Sequence, residues 1–329
     1  MKKALILGVT GQDGSYLADL LLEKGYEVHG LVRKSATGNL TNIRHLLDDK
    51  NVCNKLFFTH RGDLLDTTSI YRIIAKINPD EIYNEADQDH VSWSYDMVGY
   101  SSDITASAVA KILEIILQLN PKIRFFQPCT SNMFGLSEEL MQDENTSFNP
   151  QSPYAIAKTF AYYVTRYYRQ TFDLHASVGI LYNHESPRRT PEYVTRKISQ
   201  SVARIALGKQ EQLTLGDISA EIDWGYSPDY MDCAWRMIQA DKAEDYIIAT
   251  GNKHSVSDFV DAAFALVNLD RNDYLQTDQS LIRPTKTSAL VGNPTKAKEN
   301  LGWEAEINFK ELVRIMVEAD LKLESKKNT

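Results

Sequence analysis

Tyr154 and Lys158 stand four residues apart in Ser152-Pro153-Tyr154-Ala155-Ile156-Ala157-Lys158, where a helix is expected to begin. At that spacing two side chains share a helix face, so an ammonium sits beside a phenol. A neighbouring cation favours phenolate, which lets Tyr154 take or return a hydroxyl proton near neutral pH. Thr130-Ser131-Asn132 follows an apolar run, residues 123–126, that reads as a buried strand. A Tyr/Lys pair alone also fits two residues on a solvated helix face. Its place after a glycine-rich turn and a Thr/Ser-bearing strand end favours the chemical reading.

The elements that must position this pair come earlier. Residues 4–7 form a short apolar strand, followed by Gly8-Val9-Thr10-Gly11-Gln12-Asp13-Gly14 and a helix expected over 15–24. Glycines at this spacing let backbone N–H groups approach a pyrophosphate at the helix N-terminus. Cofactor contacts are therefore expected from Gly8, Gly11, Gln12, Asp13 and Gly14. The second strand, 27–32, ends in Arg33-Lys34-Ser35, with no acidic residue to hold a ribose 2′-OH. Arg33 and its neighbour suit a 2′-phosphate, which favours NADP over NAD. Gly62-Asp63-Leu64 follows a third strand at 55–59 and places Asp63 either at the adenine or as the N-cap of the next helix. A fourth strand at 81–83 leads into Asn84-Glu85-Ala86-Asp87-Gln88-Asp89-His90. Helices at about 101–119 and 154–169 carry broad apolar faces, suited to a core or to a dimer-forming four-helix bundle.

Strand and helix alternate up to a strand at 176–182, which predicts an α/β fold with a Rossmann-type doubly wound parallel sheet. Residues 1–182 are expected to bind the dinucleotide, and 183–329 to form a smaller, mainly substrate-binding portion over the carboxyl edge of the sheet. The 329 residues carry a net charge of −8, which argues against nucleic acid or anionic membrane as partners. Cys53, Cys129 and Cys233 lack CxxC spacing, which fits reduced thiols and no metal site. Without a leader pattern or long apolar span, a cytoplasmic protein is expected.

Taken together, these residues resemble the extended short-chain dehydrogenase/reductases, specifically the GDP-mannose 4,6-dehydratase family. The likeness spans nearly the whole chain: GVTGQDGSYL at 8–17, NHESPRR at 183–189, VTRK at 194–197, Asp223-Trp224-Gly225, Arg283-Pro284 and NPTKAKENLGW at 293–303. The resemblance implies a homodimer or homotetramer that binds a GDP-sugar and NAD(P), removes hydride from C4 while a tyrosine takes the 4-OH proton, eliminates water across C5 and C6, and returns the hydride to C6. By position, Thr130 bonds the sugar hydroxyl, Tyr154 is the base and Lys158 orients the cofactor ribose. Asn183, Glu185, Arg188, Val194, Arg196, Lys197 and Arg283 fall around the GDP-sugar. Arginine suits bidentate phosphate recognition and lysine point-charge neutralisation.

The chain departs from the family where the elimination is performed. A glutamate expected at position 132 is Asn132, and an amide cannot exchange a proton near neutral pH. Glu85, Asp87 and Asp89 replace uncharged residues, and such carboxylates repel a pyrophosphate unless they turn away or meet a cation. Ile222 stands for an expected Arg and Lys286 for a Glu. These departures favour a GDP-sugar oxidoreductase acting at C4, a 4-dehydrogenase or 4-ketoreductase, on a manno-configured hexose or heptose. The alternatives are a true 4,6-dehydratase with another proton carrier (His90 or Glu185), a 4-epimerase and a non-catalytic sensor.

Overall fold

The computed structural model describes residues 1–34, 38–281 and 289–327. Six parallel strands come from the first part of the chain: β1 (Lys3–Leu7), β2 (Glu27–Val32), β3 (Phe57–Arg61), β4 (Glu81–Asn84), β5 (Arg124–Thr130) and β6 (Ala176–Leu181). A seventh, Asp245–Ile248, returns from beyond residue 183 and pairs with β6, giving the order 245–248, β6, β5, β4, β1, β2, β3. All the pairings are parallel. Helices cover both faces, so most strands are near-continuous buried runs rather than alternating ones. The predicted doubly wound sheet is present, and the order reverses between β1 and β4, where such sheets bind ligands.

Local chemistry explains the elements nearest that crevice. Gly8 ends β1 at φ +85, and a Cβ there would lie 2.4 Å from the Glu85 carbonyl oxygen, so only glycine lets the β1 and β4 ends approach. The first helix, Gln12–Glu23, starts earlier than its apolar pattern suggests, directly after Gly11. The helix expected at 101–119 runs over 98–119 with a π turn at Asp103–Ser107. The helix Pro153–Phe172 begins at a cap in which the Ser152 hydroxyl accepts from the Ala155 amide, with proline at its first position.

Past residue 183 a second core gathers Ile198, Val202, Trp224, Phe259 and Met316. It holds a small three-stranded sheet of Asn183–Glu185, Glu221–Tyr226 and Lys253–Ser255, and a two-stranded one of Leu213–Leu215 and Leu275–Thr277. The helix Val194–Ala206 packs on the helix Phe309–Lys326 through a buried ion pair, Arg196 with Asp320, which also accepts from the Ser199 hydroxyl at 2.7 Å. Asp320→Ala leaves a buried guanidinium unpaired and is expected to cost about 3–5 kcal/mol, read as a lower urea midpoint at unchanged slope.

Candidate active site

β5 runs four residues beyond its apolar run and delivers Thr130 to the carboxyl edge of the sheet. The Thr130 hydroxyl accepts from the Asn132 backbone amide at 3.3 Å and from its side-chain amide at 3.1 Å. It also favours the ionised form of the Tyr154 phenol. Tyr154 and Lys158 sit one turn apart on the helix Pro153–Phe172, 7% and 4% exposed. The Lys158 ammonium lies 5.8 Å from the centroid of the Tyr154 ring. The four residues singled out for chemistry thus converge.

Lys158 is not free to face the phenol alone. Its Nζ donates to the Pro128 carbonyl at 2.8 Å and lies 2.5 Å from Asp87 Oδ2. Burial works against the ammonium, but Asp87 more than offsets it and holds Lys158 protonated, above its ordinary range. Burial pushes the Tyr154 phenol up, and Asp87 and Asp89 push the same way against Lys158 and Thr130. The net direction is upward. In this state the simple expectation of a phenolate near neutral pH does not hold, because burial, joined by a neighbouring carboxylate, outweighs the cation.

The other acidic residues have separate fates. Burial, with Asp13 close by, raises the Glu85 carboxyl and favours its uncharged form, so it does not repel a phosphate as an anion would. Asp13 meets His184 Nε2 at 2.8 Å and accepts from the Ser227 hydroxyl at 2.7 Å. Burial alone would raise Asp13, yet His184 holds it at about 2. Asp89 stays on the open side, where its Oδ2 accepts from the Tyr193 hydroxyl at 2.8 Å.

The glycine turn forms a cradle. A Cβ at Gly14 would lie 2.4 Å from the Gly8 carbonyl oxygen, and no side chain caps the helix behind Gly11. That leaves backbone N–H groups directed at the crevice, a fit for a dinucleotide pyrophosphate. Gln12 is buried, accepting from the Ser186 hydroxyl at 2.8 Å and donating to the His184 carbonyl at 3.1 Å. Gln12 and Asp13 therefore brace the cradle against the following half of the chain. Arg33 Nη1 donates to the Tyr100 hydroxyl at 2.8 Å, at the end of β2. Asp63 Oδ1 accepts from the Leu65 amide, and the following helix is capped by Asp66 instead, so the N-cap alternative for Asp63 falls away. Leu64 is buried beside it.

The expected substrate residues divide. Asn183 is exposed at the start of its strand, and Val194 opens its helix. Glu185 is 2% exposed and accepts from the Thr195 hydroxyl at 2.7 Å. Arg188 turns to the first helix, 2.7 Å from Asp19 Oδ2, with its guanidinium over the Tyr16 ring. Arg196 is taken by Asp320, and Lys197 donates to the Thr214 carbonyl at 2.7 Å. Arg283 lies outside the described residues. Two residues at the site had not been singled out. Arg189 stacks 3.3 Å above the Tyr193 ring, and Tyr193 in turn holds Asp89. Arg189 belongs to the NHESPRR stretch, whereas nothing about Tyr193 in the sequence marks it.

With this geometry in hand, comparison with known proteins gives a consistent result. The model of the GDP-mannose 4,6 dehydratase family matches residues 5–316. GDP-mannose 4,6 dehydratase 1 of Arabidopsis thaliana is 44% identical over 98% of this chain and 90% of its own. Among solved structures, dTDP-glucose 4,6-dehydratase from Bacillus anthracis in complex with NAD superimposes with a TM-score of 0.84 at 21% identity, covering 99% of this chain and 98% of that one. The protein RMD from Pseudomonas aeruginosa complexed with NADPH gives 0.82 at 18%, covering 98% and 100%. At those identities the structural likeness speaks for the fold, while the sequence match settles the family: the chain belongs to the GDP-mannose 4,6-dehydratases.

Proposed function

We propose that the protein is an NAD(P)-dependent 4,6-dehydratase of a GDP-linked, manno-configured hexose or heptose. The observation that carries this reading is the match to GDP-mannose 4,6-dehydratases along nearly the full chain, joined to the convergence of Thr130, Tyr154 and Lys158. It reverses the weight given by the sequence alone, which favoured a C4 oxidoreductase on the strength of Asn132. Gly8, Gly11, Gly14 and the first helix would hold a nicotinamide dinucleotide, with Arg33 and Asp63 serving its adenosine, and it would supply the hydride acceptor and donor. Thr130 orients the sugar 4-OH and Tyr154 takes its proton. Lys158 keeps its charge beside the phenol and offsets the negative charge that develops there. Among the described residues, the cations at 33 and 34 are what favours NADP over NAD.

A second reading, a 4-dehydrogenase or 4-ketoreductase, rests on Asn132, whose amide donates to Thr130 and has no proton to exchange. Mass spectrometry of GDP-mannose and GDP-manno-heptose, each incubated with NAD or NADP, separates the two. Loss of water without net cofactor reduction is expected. Loss of two hydrogens with a rise in reduced nicotinamide sinks the dehydratase reading. Tyr154→Phe is expected to slow whichever reaction occurs by at least about 10²-fold.

The pH dependence follows from the ion pair. Proton abstraction needs phenolate, so the rate falls as pH drops through the Tyr154 pKa, which burial raises and Asp87 raises further. Asp87→Asn removes that charge and leaves Lys158 facing the phenol. The acid limb of the kcat/KM profile should therefore move to lower pH, by about 1 unit. An unmoved limb means the carboxylate is not felt.

The helix Pro153–Phe172 also presents Ile156, Phe160, Tyr163 and Tyr167, each about half exposed, along one stripe beside exposed Trp93 and Val98. We assign this face to a homodimer, because apolar surface this continuous is poorly tolerated in water. Phe160→Glu is expected to halve the mass seen by light scattering. A wild-type monomer overturns the assignment.

A further inference from the structure

We propose that Asp89 is the carboxylate that moves the C5 proton, doing from the β4 loop what Asn132 cannot do from the β5 turn. The inference rests on the dehydratase reading and adds a catalytic residue to it.

The carboxylates around the crevice can be taken one at a time. Asp87 is locked against the Lys158 ammonium at 2.5 Å. Asp13 is clasped by His184 and Ser227. Glu185 is buried between the Thr195 hydroxyl and Arg189 Nε, which lies 3.4 Å away. Glu85 is enclosed behind the Gly8 turn, its backbone against that glycine. His90, the other weak candidate for a proton carrier, stacks on Trp93 at 4.8 Å and meets Tyr193 at a tilt at 5.2 Å, with Nδ1 2.8 Å from the Ser92 hydroxyl. It braces the loop. Asp89 alone of this set keeps an open side chain, 57% exposed.

Asp89 is also held in place. The Tyr193 hydroxyl donates to Oδ2 at 2.8 Å, and Arg189 Nη1 lies 3.8 Å from the same oxygen. Among the described residues Oδ1 receives no hydrogen bond. The loop beneath is fixed by Gln88, which is buried, donates to the His90 carbonyl at 2.8 Å and accepts from the Ser101 hydroxyl at 3.1 Å. The charge of Asp89 is felt at Tyr154 on one side, and Tyr193 and Arg189 lead into the segment expected to meet the nucleotide sugar on the other. On this assignment the open oxygen of Asp89 is turned to a sugar whose 4-OH lies at Tyr154.

The step balances as follows. Oxidation at C4, with hydride passing to the oxidised nicotinamide and the O4 proton to Tyr154, makes C5–H acidic. Asp89 takes the C5 proton; the C5–H electron pair forms the C5–C6 double bond while the C6–O bond breaks. The departing hydroxide receives the proton from Asp89 and leaves as water. Hydride from the reduced nicotinamide adds at C6, and a solvent proton delivered through Asp89 adds at C5, offset by the proton Tyr154 releases.

The test uses the wild-type holoenzyme and two variants with GDP-mannose and GDP-manno-heptose, following water loss by mass and reduced nicotinamide by absorbance in single turnover. Asp89→Asn is expected to slow water loss by about 10²–10⁴-fold while the burst of reduced nicotinamide survives, so that a C4-oxidised sugar builds up. Adding Asn132→Glu to Asp89→Asn is expected to restore water loss. If wild type eliminates water and Asp89→Asn does so equally fast, the proposal is overturned. The same holds if burst and elimination fall in parallel, as a merely structural residue would make them. Absence of water loss by wild type overturns the dehydratase reading itself and this assignment with it.

Discussion

A buried ammonium with two claims on it sets the chemistry of this protein. Lys158 must support the Tyr154 phenol, yet it lies between Asp87 and the Pro128 carbonyl, out of water. A charge in such a place is tolerated only when paired, so Asp87 and Lys158 need each other in the folded state. The cost falls on the phenol, which gains a negative neighbour and loses part of the cation's field. The acidic Glu85–Asp89 stretch is therefore a set of different solutions to one constraint: a carboxylate beside a phosphate-binding crevice must be paired, favoured in its uncharged form or turned to solvent. Asp87, Glu85 and Asp89 take these three courses in that order.

The clasp of Asp13 with His184 and Ser227 is a related device. It joins the first turn of the first helix to the strand that opens the substrate-facing part and to the helix Ser227–Gln239. Gln12 adds two further bonds across the same seam. The glycine turn is consequently tied on that side to the following half of the chain.

Much of this was legible beforehand, because it is written in local pattern. Continuous apolar runs mark buried parallel strands, and the glycines around 8–14 and the Tyr/Lys spacing mark the crevice and the reacting pair. What escaped depends on partners that only the fold brings together. Arg188 and Arg196 have the right chemistry for phosphate, but Asp19 and Asp320 claim them, and no spacing rule announces such pairings. The meeting of Asp87 with Lys158 was foreseeable only as a condition, that a carboxylate there must find a cation. Tyr193 was invisible, since a tyrosine before a helix carries no signal until the fold sets it against Arg189 and Asp89.

The sheet's order bears on how the chain is made. β6 is buried along its whole length and pairs on one side with β5 and on the other with Asp245–Ile248, some sixty residues later. While the chain is still emerging from the ribosome, β6 is a bare apolar edge with unpaired backbone groups, able to recruit strands from other molecules. The interval between synthesis of residue 181 and residue 248 is thus the period in which nascent copies are most exposed to aggregation. A piece ending near 182 would carry that edge permanently, because the strand that covers it comes from the second half of the chain.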